Sequence, residues 1–264
     1  MYYLKIAAVG FCCFDIYEEL GQSYPTGNGI NVVVNLSKRG VETAAVCGIG
    51  NDDYGKQMLK MLSDFGVNTS YMHPQNGETS RFYMKIAEDG DRIHLKNVPG
   101  VMDYFRLTED DIVFLQDYDY IHTDLFGQVL DDLSHLREKG AKVVFDFSTF
   151  ADDENMHRLL PNIDYAFFSA ESRKDDVAEF LRYAKSLGGQ VVTATFGDRG
   201  SLSYDGQKFY RQGIVNTNVV NTCGAGDAYI SGFVYGLLQG HSIQDCMRIG
   251  AETAATIVAR FKPY

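Results

Sequence analysis

Short runs of β-branched and aromatic residues alternate with amphipathic helical patterns along most of this 264-residue chain. Such alternation is typical of a mostly parallel β-sheet covered by helices on both faces. The predicted strands are residues 5–9, 44–47, 120–122, 142–147, 165–168, 190–195 and 214–220. The predicted helices are residues 28–39, 54–65, 125–139, 175–187, 228–239 and 243–259. The sequence therefore predicts an α/β fold.

Two stretches interrupt the alternation. Residues 78–87 and 92–98 are β-rich and flank Asp89-Gly90-Asp91, and Asp-Gly between two such runs is a hairpin signal. The segment around residues 11–25 is irregular and aromatic. We expect segments 11–25 and 78–100 to form a small β-sheet lid, with decorating loops as the alternative. A second hairpin, around Gly206, is expected at an antiparallel edge of the main sheet.

Length and charge limit the class of protein. A chain of this length, with 45% hydrophobic residues, is expected to form one domain with a substantial core. A net charge of −11 argues against nucleic acid or an anionic membrane as the main partner. Five cysteines without C-x-x-C spacing suit a reducing compartment. Together with an N-terminal apolar run too short for a signal peptide, these features predict a cytoplasmic location.

The run Gly224-Ala225-Gly226-Asp227 lies between a predicted strand and a predicted helix. Small residues there let the backbone approach a ligand, and the N–H groups of a helix start bind anions. Asp227 adds a carboxylate beside these donors. Phosphoryl transfer to an alcohol needs both donors for the moving phosphoryl group and a base for the hydroxyl proton. The alternative is an ordinary strand–turn–helix in which Asp227 caps the helix.

Two further groups of residues are candidates for ligand binding. Gly27-Asn28-Gly29 opens a helical pattern, and Asp15, Asn28 and Asn31 offer short polar groups that suit a polyhydroxylated ligand. A simple helix cap at Asn28 is the alternative. Thr195-x-Gly197-x-x-Gly200 follows a predicted strand and could approach a nucleotide phosphate, although a plain turn explains it equally well. The sequence contains neither a P-loop motif nor a dinucleotide-binding G-x-G-x-x-G after the first strand.

Taken in order, these motifs resemble those of the ribokinase-like (PfkB) carbohydrate kinase family over essentially the whole chain. The matching positions are Gly10…Asp15, Gly27-Asn28…Asn31, Gly50-x-Asp52-x-x-Gly55, Gly66-Val67-Asn68-Thr69-Ser70, Thr195-x-Gly197-x-x-Gly200, and Gly224-Ala225-Gly226-Asp227 with Gly232-Phe233. The resemblance implies a three-layer α/β/α sandwich with a small β-sheet lid. In the family this lid closes on the sugar and often forms a dimer contact, so the resemblance also implies a homodimer through the lid.

The resemblance implies a role for each candidate residue in an ATP- and Mg²⁺-dependent transfer to a primary hydroxyl. Asp227 would be the base, and the amides of Gly224, Ala225 and Gly226 would form the anion hole. The implied sugar-binding residues are Asp15, Gly27, Asn28 and Asn31, and the implied ATP-binding residues are Thr195, Gly197, Gly200 and, near the adenine, Ala251.

Within the family, the short length, Gly100-Val101-Met102-x-x-Phe105 and Asp146-Phe147-Ser148 resemble members that phosphorylate the 6-hydroxyl of fructosamines such as fructoselysine. Arg92, on the expected lid, would reach the amino-acid carboxylate of such a substrate or else face solvent. The alternatives are a fructokinase- or ribokinase-like kinase of a plain sugar or nucleoside, and a non-catalytic sugar- or nucleotide-binding protein on the same fold.

Two positions depart from the family pattern. Where members commonly carry the Asn-x-x-Glu motif that organises the Mg²⁺ water shell, this chain reads Ser169-Ala170-Glu171-Ser172, so no metal ligand is assigned. Asn221 stands where an Asp often helps to hold a monovalent cation, which leaves potassium activation open.

Overall fold

The computed structural model describes residues 4–86, 92–138, 140–170 and 176–264. In chain order the strands are β1 (Lys5–Val9), β2 (Cys13–Tyr17), β3 (Gln22–Thr26), β4 (Glu42–Val46), β5 (Gly48–Gly50), β6 (His73–Gln75), β7 (Arg81–Ile86), β8 (Arg92–Val98), β9 (Tyr120–Asp124), β10 (Lys142–Asp146), β11 (Tyr165–Ser169), β12 (Val191–Thr195), β13 (Ser201–Tyr204) and β14 (Phe209–Gln212). The α-helices are α1 (Asn28–Ser37), α2 (Asp53–Asp64), α3 (Glu109–Leu115), α4 (Leu133–Glu138), α5 (Asp153–Leu159), α6 (Val177–Leu187), α7 (Ala225–Leu238) and α8 (Ile243–Val258).

The main sheet, within the described residues, has eight strands in the order β14-β13-β12-β11-β10-β9-β1-β4. The strands from β4 to β12 run parallel, and the β13–β14 hairpin adds the antiparallel edge that the sequence predicts. Successive side chains of a strand point to opposite faces. Val144 accordingly packs with α7 and α8, whereas Val143 and Phe145 pack with α4, α5 and α6. Helices therefore cover both faces, and the predicted α/β/α sandwich is confirmed.

A second sheet, which we call the small sheet, has the order β3-β2-β7-β8. Its strands come from the two segments that interrupt the sequence pattern. Strand β2 is antiparallel to β3 and parallel to β7, and β8 is antiparallel to β7. The predicted turn at Asp89-Gly90-Asp91 lies outside the described residues. One face of the sheet packs against Phe261 through Tyr17, Tyr24 and Met84.

Two predicted elements are wrong. Residues 213–219 are irregular rather than a strand, and Val219 is 64% exposed. Within the described residues this segment pairs with no strand, and the N–H groups of Val220 and Asn221, which follow it, donate to the carbonyl oxygen of Val258 at the end of α8. The predicted helix 125–139 is reduced to α4, because the backbone turns before it and Gln128 has a φ of 59°. Helix α7 begins three residues earlier than predicted, which places Asp227 in its first turn.

Candidate active site

The candidate site lies where the order of the parallel strands reverses. From β1 the chain leads first to β4 on one side, and later to β9 and β10 on the other side. Ligand crevices in open α/β sheets form at such a switch point, at the carboxyl ends of the strands. Strands β9 and β10 end here at Asp124 and Asp146, and the amino ends of α1 and α7 carry the residues that reach them.

Asp227 and Asn31 are in direct contact. Asp227 is 9% exposed in the first turn of α7, and its Oδ2 accepts a 2.7 Å hydrogen bond from Asn31 Nδ2. The same amide nitrogen lies 2.9 Å from Oγ1 of Thr26, the last residue of β3. The small sheet, α1 and α7 therefore meet at one buried carboxylate.

The start of α7 provides backbone donors beside this carboxylate. Gly224 caps the helix with a φ of 74°, and a Cβ at this position would collide with Pro263. Gly226 is exposed, and open space surrounds the position that its Cβ would take. The first N–H groups of a helix have no intrahelical acceptor, so this end can hold an anion in the open space.

The start of α1 is built from Gly27 and Asn28. Gly27 has a φ of 136°, and a Cβ there would lie 2.6 Å from the carbonyl oxygen of Phe11, so only glycine fits the turn. Asn28 Nδ2 donates to Asp146 Oδ2 at 3.2 Å. Because residues three apart share a helix face, Asn28 and Asn31 line the same side of α1.

Asp124 and Asp146 are two buried carboxylates that the sequence reasoning did not assign to the site. They are register neighbours on β9 and β10. Burial, with a contribution from the charges of Asp146 and Asp227, raises the pKa of Asp124 to about 8. Burial raises the pKa of Asp146 to about 6, against opposing hydrogen bonds from Ser148 and Asn28. The available signal was an Asp within two residues of the carboxyl end of the predicted strands 120–122 and 142–147.

Asp15 lies beside the anion-binding turn, buried in β2. Cys223 Sγ is 3.6 Å from Asp15 Oδ2, and the hydroxyl of Tyr24 lies 3.5 Å from the same sulfur. Cys223 immediately precedes Gly224, so the predicted sugar-binding aspartate and the predicted anion hole are neighbours. The link through Cys223 and Tyr24 was missed, because it joins side chains about 200 residues apart.

The predicted ATP-binding residues are divided between two environments. Thr195 ends β12, and the turn that follows needs glycine at Gly197 and Gly200, which have φ values of 57° and 85°. A Cβ on Gly200 would collide with the carbonyl oxygen of Gln212. This turn lies at the carboxyl edge of the sheet. Ala251, in contrast, packs into the core that α7 and α8 form on the main sheet.

Three further positions are named from the sequence, and the structure describes the side chain of one of them, Asn221. Arg92 opens β8 opposite Ile86, and its side chain lies outside the described part of the chain, as does Glu171. Asn221 bonds within the protein through both ends of its amide: Nδ2 donates to the carbonyl of Phe261 at 2.8 Å, and Oδ1 accepts from the N–H of Cys223 at 2.9 Å. Within the described residues, no group of three His, Cys, Asp or Glu side chains could hold a metal ion.

A helix start that can hold an anion, next to a buried carboxylate, suits an enzyme that moves a phosphoryl group onto an alcohol. Residues 15–264 match the sequence model of the pfkB family of carbohydrate kinases, and the chain belongs to this family. The chain is thus a carbohydrate kinase.

None of the helices in the described part of the chain has the length and apolar character needed to span a membrane.

Individual relatives agree with this assignment. The chain is 32% identical to the fructoselysine 6-kinase of Escherichia coli (strain K12) over 253 residues, which cover 96% of this chain and 97% of the relative. It is 33% identical to the fructosamine kinase FrlD of Bacillus subtilis over 256 residues, covering 96% of this chain and 90% of the relative.

Solved structures show the same fold. The ribokinase of Arabidopsis thaliana, solved with ribose and ATP, aligns with a TM-score of 0.87 at 20% identity, over 99% of this chain and 94% of that chain. A ribokinase from Thermotoga maritima aligns with a TM-score of 0.83 at 19% identity, over 99% and 95% of the two chains.

Proposed function

We propose that this kinase transfers the γ-phosphoryl group of Mg-ATP to the 6-hydroxyl of a fructosamine such as fructoselysine. The substrate class is supported by relatives named fructoselysine 6-kinase and fructosamine kinase, which align over nearly the whole chain. The observation that carries the proposal is the position of Asp227: a buried carboxylate, held by Asn31, next to the open space beside Gly226.

In the proposed reaction the phosphoryl group passes directly from ATP to the sugar, and the protein forms no covalent bond with it. Asp227 accepts the proton of the 6-hydroxyl while the oxygen of that hydroxyl bonds to the γ-phosphorus. The bond between this phosphorus and the bridging oxygen breaks, and ADP leaves. The amides of Gly224 and Gly226 donate to the charge on the transferred group, as donors at a helix start can, whereas the N–H of Ala225 donates to the carbonyl oxygen of Thr222 at 3.2 Å in this structure. Asn31 fixes the carboxylate, and Asp15, Gly27 and Asn28 surround the sugar.

The nucleotide is proposed to lie along the carboxyl edge of the main sheet. The turn at Thr195, Gly197 and Gly200 presents close-approaching backbone there, which suits phosphate oxygens. Ala251 is proposed to support this region from within the core rather than to contact adenine directly. Mg²⁺ prefers phosphate oxygens and water to a full set of protein ligands. We therefore expect it to enter with the phosphates, and we assign it no protein ligand.

The test is a coupled assay of ADP release with fructoselysine, fructose, ribose and adenosine. We expect kcat/KM for fructoselysine to exceed that of the other acceptors at least about tenfold. Acceptors without its charged groups lose a charge-assisted hydrogen bond, which contributes on the order of 1.5–3 kcal/mol. NMR of the product should place the phosphate on O6. A clear preference for a plain sugar or a nucleoside would overturn the substrate assignment. Binding of sugars without ADP release would overturn the catalytic one.

A further inference from the structure

Asp124 and Asp146 form a pair of carboxylates, which we call the acidic pair, at the carboxyl ends of adjacent parallel strands. They are directly opposite in register, and residues so paired point to the same face of a sheet, with their strands about 4.8 Å apart. Their exposed fractions are only 1% and 9%. Two buried carboxylates therefore lie side by side on the crevice edge of the sheet.

The acidic pair is incompletely satisfied by the protein. Asp124 Oδ1 accepts from the N–H of Phe126 at 2.7 Å, whereas the fully buried Oδ2 has no hydrogen-bond partner in the described residues. Asp146 accepts from the N–H of Ser148 at 2.7 Å and from Asn28. The ion pairs found within the described ranges include neither carboxylate. Buried charge without a partner is costly, so such a site suits a ligand that brings a cation and a donor.

Helix α1 fixes the distance between the acidic pair and the proposed base. Asn31 bonds to Asp227, and Asn28, on the same helix face, bonds to Asp146. These two asparagines are separated by a rise of about 4.5 Å along the helix axis. In a fructosamine, the amine is on C1 and the phosphate acceptor is on C6, at the other end of the sugar. A sugar whose 6-hydroxyl meets Asp227 can thus direct its C1 substituent toward the acidic pair.

We propose that Asp124 and Asp146 form a subsite for the protonated amine on C1 of the sugar, and that this subsite selects fructosamines over neutral sugars. The inference rests on the proposed function and assigns its specificity to named residues. An ammonium group supplies the missing donor for Asp124 Oδ2 and offsets the negative charge of the pair. A neutral hydroxyl group supplies a hydrogen-bond donor but does not offset the negative charge of the pair. Burial is the main cause of the raised pKa of Asp124. A carboxyl in such a site is expected to have a raised pKa as long as no cation is bound beside it.

The test uses two acceptors that differ only at C1: fructose, and a 1-alkylamino-1-deoxyfructose, which keeps the ammonium group and lacks an amino-acid carboxylate. Asp124→Asn and Asp146→Asn keep the shape of the side chain and remove its charge. We expect each variant to lose about 10- to 100-fold in kcat/KM for the amine relative to fructose, as for other charge-assisted contacts. Asp164→Asn is the control, because Asp164 is equally buried but precedes β11 and bonds to Val143 and Gln190. It should leave the ratio of the two substrates unchanged.

A second measurement does not depend on the variants. The amine should raise the melting temperature of the wild-type protein more than fructose does at equal concentration. Equal losses for both acceptors in the Asn variants, with a wild type that phosphorylates fructosamines, would overturn the subsite and leave the proposed function standing. A wild type that turns over only neutral sugars, and that the amine does not stabilise, would overturn both.

Discussion

At the scale of single residues, the carboxylates of the crevice differ in their surroundings. Asp227 is held by an amide donor from α1, whereas Asp124 keeps one oxygen without a donor in the described residues. A base must be oriented to accept a proton, and the contact with Asn31 fixes the orientation of the Asp227 carboxylate. The same burial without a donor favours the neutral form at Asp124. One crevice thus contains carboxylates suited to different tasks.

Asp227→Asn should lower kcat at least about 100-fold, because general-base catalysis typically contributes about 10²–10⁴-fold. The KM values should change little, since the backbone donors of α7 remain. Steady-state kinetics with both substrates varied will measure this. Asp110→Asn, in the first turn of α3 and exposed, is the matched control and should keep the wild-type rate. A wild-type kcat in Asp227→Asn would place the base elsewhere.

Asp124 should also make stability depend on pH. Its pKa is about 8 in the folded protein and near 3.8 when unfolded, so its stabilising contribution is complete below about pH 3.8 and is lost as the pH rises through about 8. Asp124→Asn cannot ionise. Relative to the ligand-free wild type, it should gain free energy of unfolding between pH 5 and pH 8, on the order of 1 kcal/mol per pH unit.

Urea unfolding of both proteins at several pH values will measure this difference. Asp117→Asn, at an exposed position away from the crevice, serves as the control and should show no such gain. A difference between Asp124→Asn and the wild type that stays constant from pH 5 to pH 8 would contradict the assignment of a raised pKa to this carboxyl.

Local motifs made part of this site predictable from the sequence. Gly224 to Asp227 form one continuous run, and Asn28 and Asn31 stand three residues apart, so their residue types and spacing are visible without a fold. The pairing of Asp124 with Asp146 is different, because it arises from the register of two strands that are neighbours only in space. The bond between Asn31 and Asp227 likewise spans 196 residues and required the fold.

At the scale of elements, the start of α7 contains two glycines with different roles. Gly224 allows the backbone conformation of the helix cap, and Gly226 leaves space for the proposed ligand. Gly224→Ala should destabilise the protein by at least about 1–3 kcal/mol, because alanine is strained at a φ of 74° and its Cβ would meet Pro263. Gly226→Ala should keep or slightly raise stability, since alanine favours a helix by about 0.5–1 kcal/mol. The added methyl group would still occupy the open space proposed for the phosphoryl group.

Thermal unfolding and kcat, measured on both variants, separate the two roles. We expect Gly226→Ala to be stable and slow, and Gly224→Ala to be unstable. If Gly226→Ala kept wild-type activity, the phosphoryl group would not pass beside this glycine.

The element predictions succeeded where periodicity was uninterrupted and failed where an apolar run lacked a partner. The six parallel strands of the main sheet were located within two residues at each end. Residues 214–220 have the composition of a strand, but composition cannot show whether a segment pairs with a sheet edge. Residues 125–132 have helical periodicity, yet the close approach of Gly127 to Gly10 turns the chain there.

At the scale of the whole molecule, the edge strand β8 of the small sheet exposes apolar side chains. Ile93 and Leu95 are 40% and 54% exposed, and the pairing of β8 with β7 shifts register beside Leu95. A small sheet with apolar groups on a free edge favours association. We propose that the kinase is a homodimer in which this edge meets its copy.

Light scattering at micromolar concentration should therefore give the mass of a dimer. Leu95→Lys should shift the population toward the monomer, because it places a charge in the contact. Val113→Lys, at a 62% exposed position on α3, is the matched control and should leave the dimer intact. A monomeric wild type would contradict the proposal.

The aromatic contact between the small sheet and the C-terminal residues has an optical consequence. The chain contains 17 tyrosines and no tryptophan, and the ring of Phe261 lies 5.4 Å from Tyr17 and 5.9 Å from Tyr24. Phe261→Trp would therefore place a single tryptophan, which can be excited selectively, against the small sheet, two residues from the proline that touches the anion-binding turn. A shift in its emission on addition of sugar would report, in real time, whether the small sheet moves as the crevice fills.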